Sequence, residues 1–117
     1  MQNLDAQQSG VKAEYQASVF LQRQGLTLLA KNYACRGGEL DLVMQDRDTL
    51  VFVEVRLRSH ARFGDALESI DWRKQQRLRL AAEHYLAEHN WSGPCRFDAV
   101  GIVGSVQLHW VQNAFEG

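Results

Sequence analysis

Two acids in neighbouring segments carry the first chemical signal of this 117-residue chain. Asp41 lies within Glu39-Leu40-Asp41-Leu42-Val43, and Glu54 within Val51-Phe52-Val53-Glu54-Val55-Arg56. Both segments read as β-strands, in which side chains alternate between faces. On the second, Val51, Val53, Val55 and Leu57 share one face, and Phe52, Glu54, Arg56 and Arg58 share the other. On the first, the same alternation predicts Glu39, Asp41 and Val43 on one face and Leu40, Leu42 and Met44 on the other. The turn between them falls at residues 46–49. A loop of two or of four residues sets Asp41 directly opposite Glu54, whereas a loop of three sets Glu54 against Leu40. Like charges directly opposite in a sheet are destabilising, so a cation, a proton or the neighbouring Arg56 must compensate.

A third acid comes from the first helix. On a helical wheel Glu14 lies opposite Lys12, Gln16 and Arg23, between the Ala13/Ala17/Phe20 stripe and Val11/Tyr15/Val19. A carboxylate in an apolar sector is costly unless it is paired or ligates a metal. Three acids and one fixed cation suit metal-assisted phosphodiester hydrolysis. Mg²⁺ takes a few carboxylate oxygens and keeps several waters. Such a metal polarises a phosphoryl group and acidifies bound water, while Arg56 stabilises charge on the phosphate. The plainer alternatives are a Glu14–Arg ion pair or an edge position for Glu14, and a cross-strand salt-bridge cluster of Asp41, Glu54 and Arg56.

The elements that must position these residues follow from pattern and punctuation. Residues 1–9 read as a flexible tail and 10–117 as one domain. A helix is expected from Gly10 to Gln24, with Ser9 as N-cap and Gly25 as the stop. Strands are expected over Leu26–Ala34, Glu39–Gln45 and Leu50–Leu57, then a loop over Ser59–Gly64. Asp71 caps a long helix, Trp72–His89, which Ser92-Gly93-Pro94 breaks. Strands Phe97–Val103 and Val106–Val111 follow around Gly104-Ser105. The order αβββαββ predicts an α/β fold with one mixed five-stranded sheet flanked by helices.

Composition narrows the function classes. Apolar residues make up 45% and charged residues 23%, with a formal net charge of −1, which argues against a polybasic nucleic-acid coater. No apolar run approaches the ~20 residues of a membrane span, and no leader is apparent. Cys35 and Cys95, without Cys-x-x-Cys spacing, read as reduced thiols of a cytoplasmic protein. The charge is uneven, however. Residues 56–79 hold seven basic and three acidic side chains. Arg58, Arg73, Lys74 and Arg77 are candidate phosphate contacts, Lys74 near a helix N-terminus. A solvated helix face is the simpler alternative. Trp72, Trp91 and Trp110 read as core or interface residues rather than base-stacking platforms.

Gly37-Gly38-Glu39-Leu40-Asp41-Leu42-Val43 and the following Val51 to Arg58 segment resemble the bacterial YraN family. The resemblance continues through Arg62-Phe63-Gly64, Lys74, Ala82, Tyr85-Leu86, Arg96-Phe97-Asp98 and Asn113-Ala114-Phe115, and covers nearly the whole chain from Gly10. It implies the fold of restriction endonucleases and Holliday-junction resolvases. That active-site pattern is an acid on the first helix, an Asp on one strand and Glu-x-Lys on the next. Glu14, Asp41 and Glu54 match its acids, which would hold Mg²⁺ or Mn²⁺, with Glu39 as a supporting group. Two departures stand out. Glu-x-Lys is here Glu54-Val55-Arg56, and Arg keeps its proton under all physiological conditions, so it cannot act as a base. Ala13 replaces a second Gly of the helix motif.

The resemblance implies a metal-dependent endonuclease that binds and cleaves structured or branched DNA. Glu14, Asp41, Glu54 and Arg56 would be the catalytic set, without membrane association or a small-molecule cofactor. Resolvase-like proteins are usually dimers, since a junction has two-fold symmetry, so the resemblance allows a homodimer, for which the chain carries no signal of its own. A catalytically weak or inactive nucleic-acid-binding module of the same fold is the alternative. An interaction protein whose acids form only salt bridges is the third.

Overall fold

In the computed structural model, the backbone is described for residues 2–58, 70–104 and 107–116, and the side chains of these except 2–9 and 58. The expected loop at Ser59–Gly64, the Arg62-Phe63-Gly64 motif, the Arg58 side chain and Ser105 lie outside the described residues. The elements are α1 (Gln2–Arg23), β1 (Thr27–Cys35), β2 (Gly38–Asp46), β3 (Thr49–Arg58), α2 (Trp72–Glu88), β4 (Cys95–Val103) and β5 (Gln107–Phe115). The strands form one mixed sheet in the order β1-β2-β3-β4-β5. Only β3 and β4 are parallel. Between them runs the crossover that contains α2, as a parallel connection requires. This is the expected α/β architecture and element order. No helix among the described residues is long and apolar enough to cross a membrane.

The first helix differs from expectation. It begins at Gln2, so residues 2–9, read as a tail, are helical, and Ser9 is an interior residue rather than the N-cap. The segment Asn3 to Gln8 has no proline or glycine to stop it. A glycine inside a helix costs only about 1 kcal/mol relative to alanine. The other helix conforms: Asp71 Oδ1 accepts from Lys74 N at 2.9 Å as N-cap, and His89 is the C-cap.

Each helix covers one face of the sheet. Ala13, Ala17 and Leu21, four residues apart on α1, pack with Leu42, Met44, Val51, Val53, Val100 and Ile102. Leu78, Ala81, Ala82 and Tyr85 of α2 pack with Leu40, Val43, Leu50, Phe52, Phe97 and Ala99. The central strand β3 is therefore apolar on both faces over Leu50 to Val53, the near-continuous pattern of a doubly covered strand.

The face expectation for β2 is corrected. Leu40 and Val43 both face α2, and Leu42 and Met44 both face α1. Strict alternation cannot do this, so β2 changes face between Leu40 and Leu42. Its neighbour does the same: Ala30 and Tyr33 of β1 both pack on the α2 side. Asn32, between the pairs Lys31↔Leu42 and Tyr33↔Leu40, takes the left-handed conformation with φ 50°. Asparagine tolerates that region better than most side chains. The two strands thus kink together at Asn32 and Asp41.

Candidate functional site

The β2–β3 turn is a two-residue loop, Arg47-Asp48, because Asp46 pairs with Thr49. The register is the one that aligns Asp41 with Glu54, but the ladder stops one pair short, at Leu42↔Val53. At the kink Asp41 turns into the gap, where its Oδ2 accepts from Val55 N at 2.9 Å. The carboxylate takes the place of the missing main-chain partner. The two strands diverge around it, and the opening contains the candidate site.

Glu54 continues the Leu50/Phe52 face, toward α2, and is only 3% exposed. Its Oε2 meets Arg56 Nη2 at 3.2 Å and Lys74 Nζ at 3.3 Å. Its Oε1 is buried and has no hydrogen-bond partner among the described residues. The neighbouring group is Asp41, a second carboxyl within hydrogen-bonding reach. Two carboxylates share no donor unless a proton or a cation lies between them. Burial, followed by the charge of Asp41, raises the Glu54 pKa from 4.5 to about 8, and outweighs the opposing pull of Lys74 and Arg56. Two cations on one oxygen offset part of the repulsion between the facing acids, and the raised pKa reflects what they leave uncompensated.

Glu14 approaches from α1, on the other side of the sheet. It is half-buried, and burial raises its pKa, with Asp41 and then Glu39 adding to the shift. A hydrogen bond from the Asn32 side chain opposes the rise. Asp41, in the plane of the split sheet, is thus felt by Glu14 on one side and Glu54 on the other. Among the described residues, no group of three or more His, Cys, Asp or Glu side chains is gathered closely enough to hold a metal ion. The Asp41–Glu54 pair itself fits a divalent cation: it offers a buried oxygen without a donor beside a second carboxylate, and Mg²⁺ is commonly held by one or two carboxylates with water completing its shell.

The basic candidates separate. Lys74 reaches into the acid pair, and with Arg77 it lines a cleft of about 500 Å³ beside Ala34, Cys35, Gly37, Gly38 and Glu39. Arg73 is exposed and is not among the residues lining that cleft. Glu39 is exposed on the rim. Gly38 permits the approach of α2, because a Cβ there would overlap the Arg77 carbonyl oxygen. Trp72, expected in a core or interface, is 72% exposed at the start of α2.

Asn32 and Asp98 had no assigned role in the sequence reading. Asp98 is fully buried and accepts from Arg96 Nε at 3.0 Å, Trp110 Nε1 at 2.9 Å and Asn113 N at 3.0 Å. Arg96 continues to Asp46 at 3.1 Å. The Arg96-x-Asp98 spacing, which puts both side chains on one face, was the available signal. Asn32 gave none, because its role depends on the kink.

The family model described as "Uncharacterised protein family UPF0102", which is the YraN family, matches residues 13–102. A UPF0102 protein of Nitrosomonas eutropha is 57% identical over 107 residues, 92% of either chain. One of Pseudomonas putida F1 is 59% identical over 114 residues, 92% of this chain and 93% of its own. One of Pseudomonas fluorescens Pf-5 is 55% identical over 117 residues, 95% of each.

Proposed function

The chain belongs to the uncharacterised protein family UPF0102, and we propose that it is a divalent-metal-dependent nuclease that binds and cleaves structured or branched DNA, on a restriction-endonuclease-like core. The observation that carries this reading is Glu54: a buried carboxyl with one oxygen lacking any donor among the described residues, beside Asp41, with two cations on its other oxygen. Structural ion pairs are normally closed by hydrogen bonds on all sides. Carboxyls perturbed by burial together with a specific charged neighbour cluster at functional sites.

In this reading Asp41 and Glu54 hold Mg²⁺ or Mn²⁺, and Glu14, across the sheet, orients water. The bound metal supplies Lewis-acid polarisation of the phosphodiester and an acidified water. Val55 N fixes one oxygen of Asp41 and leaves the other to the site. Arg56 and Lys74 stand where non-bridging phosphate oxygens would enter and offset charge that grows on them. Asn32 orients Glu14 through its side chain.

Wild type is expected to cleave synthetic four-way junctions in Mg²⁺ or Mn²⁺, and to bind either ion in calorimetry. Asp41→Asn retains an acceptor for Val55 N but loses both properties. Unchanged cleavage by that variant overturns the assignment. The second reading, a nucleic-acid-binding module with little catalysis, is favoured by Arg56 in place of the lysine that the family resemblance implies. Junction binding in EDTA without cleavage in Mg²⁺ or Mn²⁺, by wild type and by Arg56→Lys, would establish it.

A further inference from the structure

Beside the acid pair, the β1–β2 hairpin and the first two turns of α2 line an open cleft of about 500 Å³. We infer that this cleft receives an unpaired nucleotide next to the phosphodiester at Asp41 and Glu54, so that the substrate has a single-stranded segment at the cleavage point. The inference rests on the nuclease reading of the acid pair and specifies its substrate.

Lys74 is common to both places: its Nζ touches Glu54, and its side chain lines the cleft. A strand that follows Lys74 away from the acid pair meets Arg77, one turn further along α2, in the same cleft. Those two cations form a phosphate track on one wall. The floor is Gly37 and Gly38, which present main chain rather than side chains. Glu39 stands on the rim, where it repels phosphate and accepts hydrogen bonds from a base amino group. The charge pattern therefore orients a nucleotide, phosphate toward α2 and its other end toward Glu39. The size matches one nucleotide rather than a base pair. The volume lies within the ~300–1,000 Å³ range of pockets that enclose small molecules. A nucleotide fits such a space, whereas a duplex presents its bases stacked and must extrude one to fill it.

Cys35, a half-buried free thiol, lines this cleft, whereas Cys95 is exposed and does not. The two cysteines provide a readout independent of catalysis. Alkylation of each is followed by peptide mass spectrometry in wild type under EDTA and in Asp41→Asn. A short oligodeoxycytidine strand at about ten times its Kd should slow Cys35 about tenfold and leave Cys95 unchanged. A long blunt-ended duplex that binds by fluorescence anisotropy should leave Cys35 at its free rate. Arg77→Ala, a change at an exposed position, should weaken the strand's protection. A strand that binds without slowing Cys35 overturns the cleft assignment, and a duplex that slows it equally overturns the requirement for an unpaired nucleotide. Both results leave the metal-dependent reading standing. Failure of every nucleic acid to bind overturns the two together.

Discussion

Glu54 and Asp98 sit on adjacent parallel strands, β3 and β4, one residue apart in register, and both carboxyls are buried. Their surroundings are opposite. Asp98 meets donors on both oxygens, from Arg96, Trp110 and Asn113. Glu54 has two cations on one oxygen and a competing carboxyl near a buried oxygen that lacks a donor among the described residues. The first is a closed hub that ties β4 to the irregular end of β5 and, through Arg96, to the end of β2. The second is open on one side. Burial of a charge is compatible with stability only when its hydrogen-bonding capacity is filled, so Asp98 is a carboxylate that holds the fold, and on the proposed reading Glu54 is one that awaits a ligand.

Matched amide substitutions test this contrast, and the largest effect is expected at the hub. Asp98→Asn removes one of the two charges paired with half-buried Arg96 and turns an amide N–H₂ toward existing donors. It should cost about 3–5 kcal/mol, seen as a lower urea midpoint at unchanged slope. Glu54→Gln should be neutral or stabilising in the same assay at pH 8 in EDTA, because it removes an acid that faces another acid. Equal destabilisation by the two variants would dissolve the distinction.

A smaller effect lies in the pH dependence. Folding raises the Glu54 pKa from its ordinary 4.5 to about 8. Between those values the native state keeps a proton that the unfolded chain has released. The contribution of Glu54 is therefore full below pH 4.5 and is lost as pH rises through about 8, at no more than about 1.4 kcal/mol per pH unit. Urea unfolding from pH 5 to 9 should show this decline in wild type and a flatter profile in Glu54→Gln. A divalent cation held by the pair displaces that proton, so Mg²⁺ affinity should rise with pH, with proton uptake by buffer in calorimetry. A pH-independent affinity would place the ion elsewhere.

The sheet is readable from the chain because its signals are local: alternation in β3, the turn at residues 46–49, and the Asp71 cap. The alignment of Asp41 with Glu54 holds for a loop of two or four residues, and the two-residue Arg47-Asp48 loop is the one that forms. What alternation could not supply was the shared kink at Asn32 and Asp41, since period two assumes that neither strand changes face. Asp41 consequently belongs to neither face. Lys74 was read as a contact for nucleic acid, and its reach to Glu54 depends on the close seating of α2 over Gly38, a tertiary fact with no local trace. Asp98 shows the converse: its spacing from Arg96 was visible, but only the positions of Trp110 and Asn113 on β5 make it a hub.

The smallest expected effect concerns Arg56, where this chain departs from the Glu-x-Lys pattern. Arg56 and Lys74 bind the same oxygen of Glu54, at 3.2 and 3.3 Å. The site therefore already contains an ammonium group, delivered by a helix rather than by the strand. Arg56→Lys keeps one positive charge on β3 and changes only its shape and hydrogen-bonding geometry. Junction cleavage should change by less than about tenfold, or ~1.4 kcal/mol in the barrier. Lys74→Ala, which leaves the strand arginine in place, should reduce cleavage more. A gain of several orders of magnitude on Arg56→Lys would instead mean that the strand position, and not the presence of an ammonium at Glu54, limits the reaction; the open carboxyl would then be a site that Arg56 holds shut.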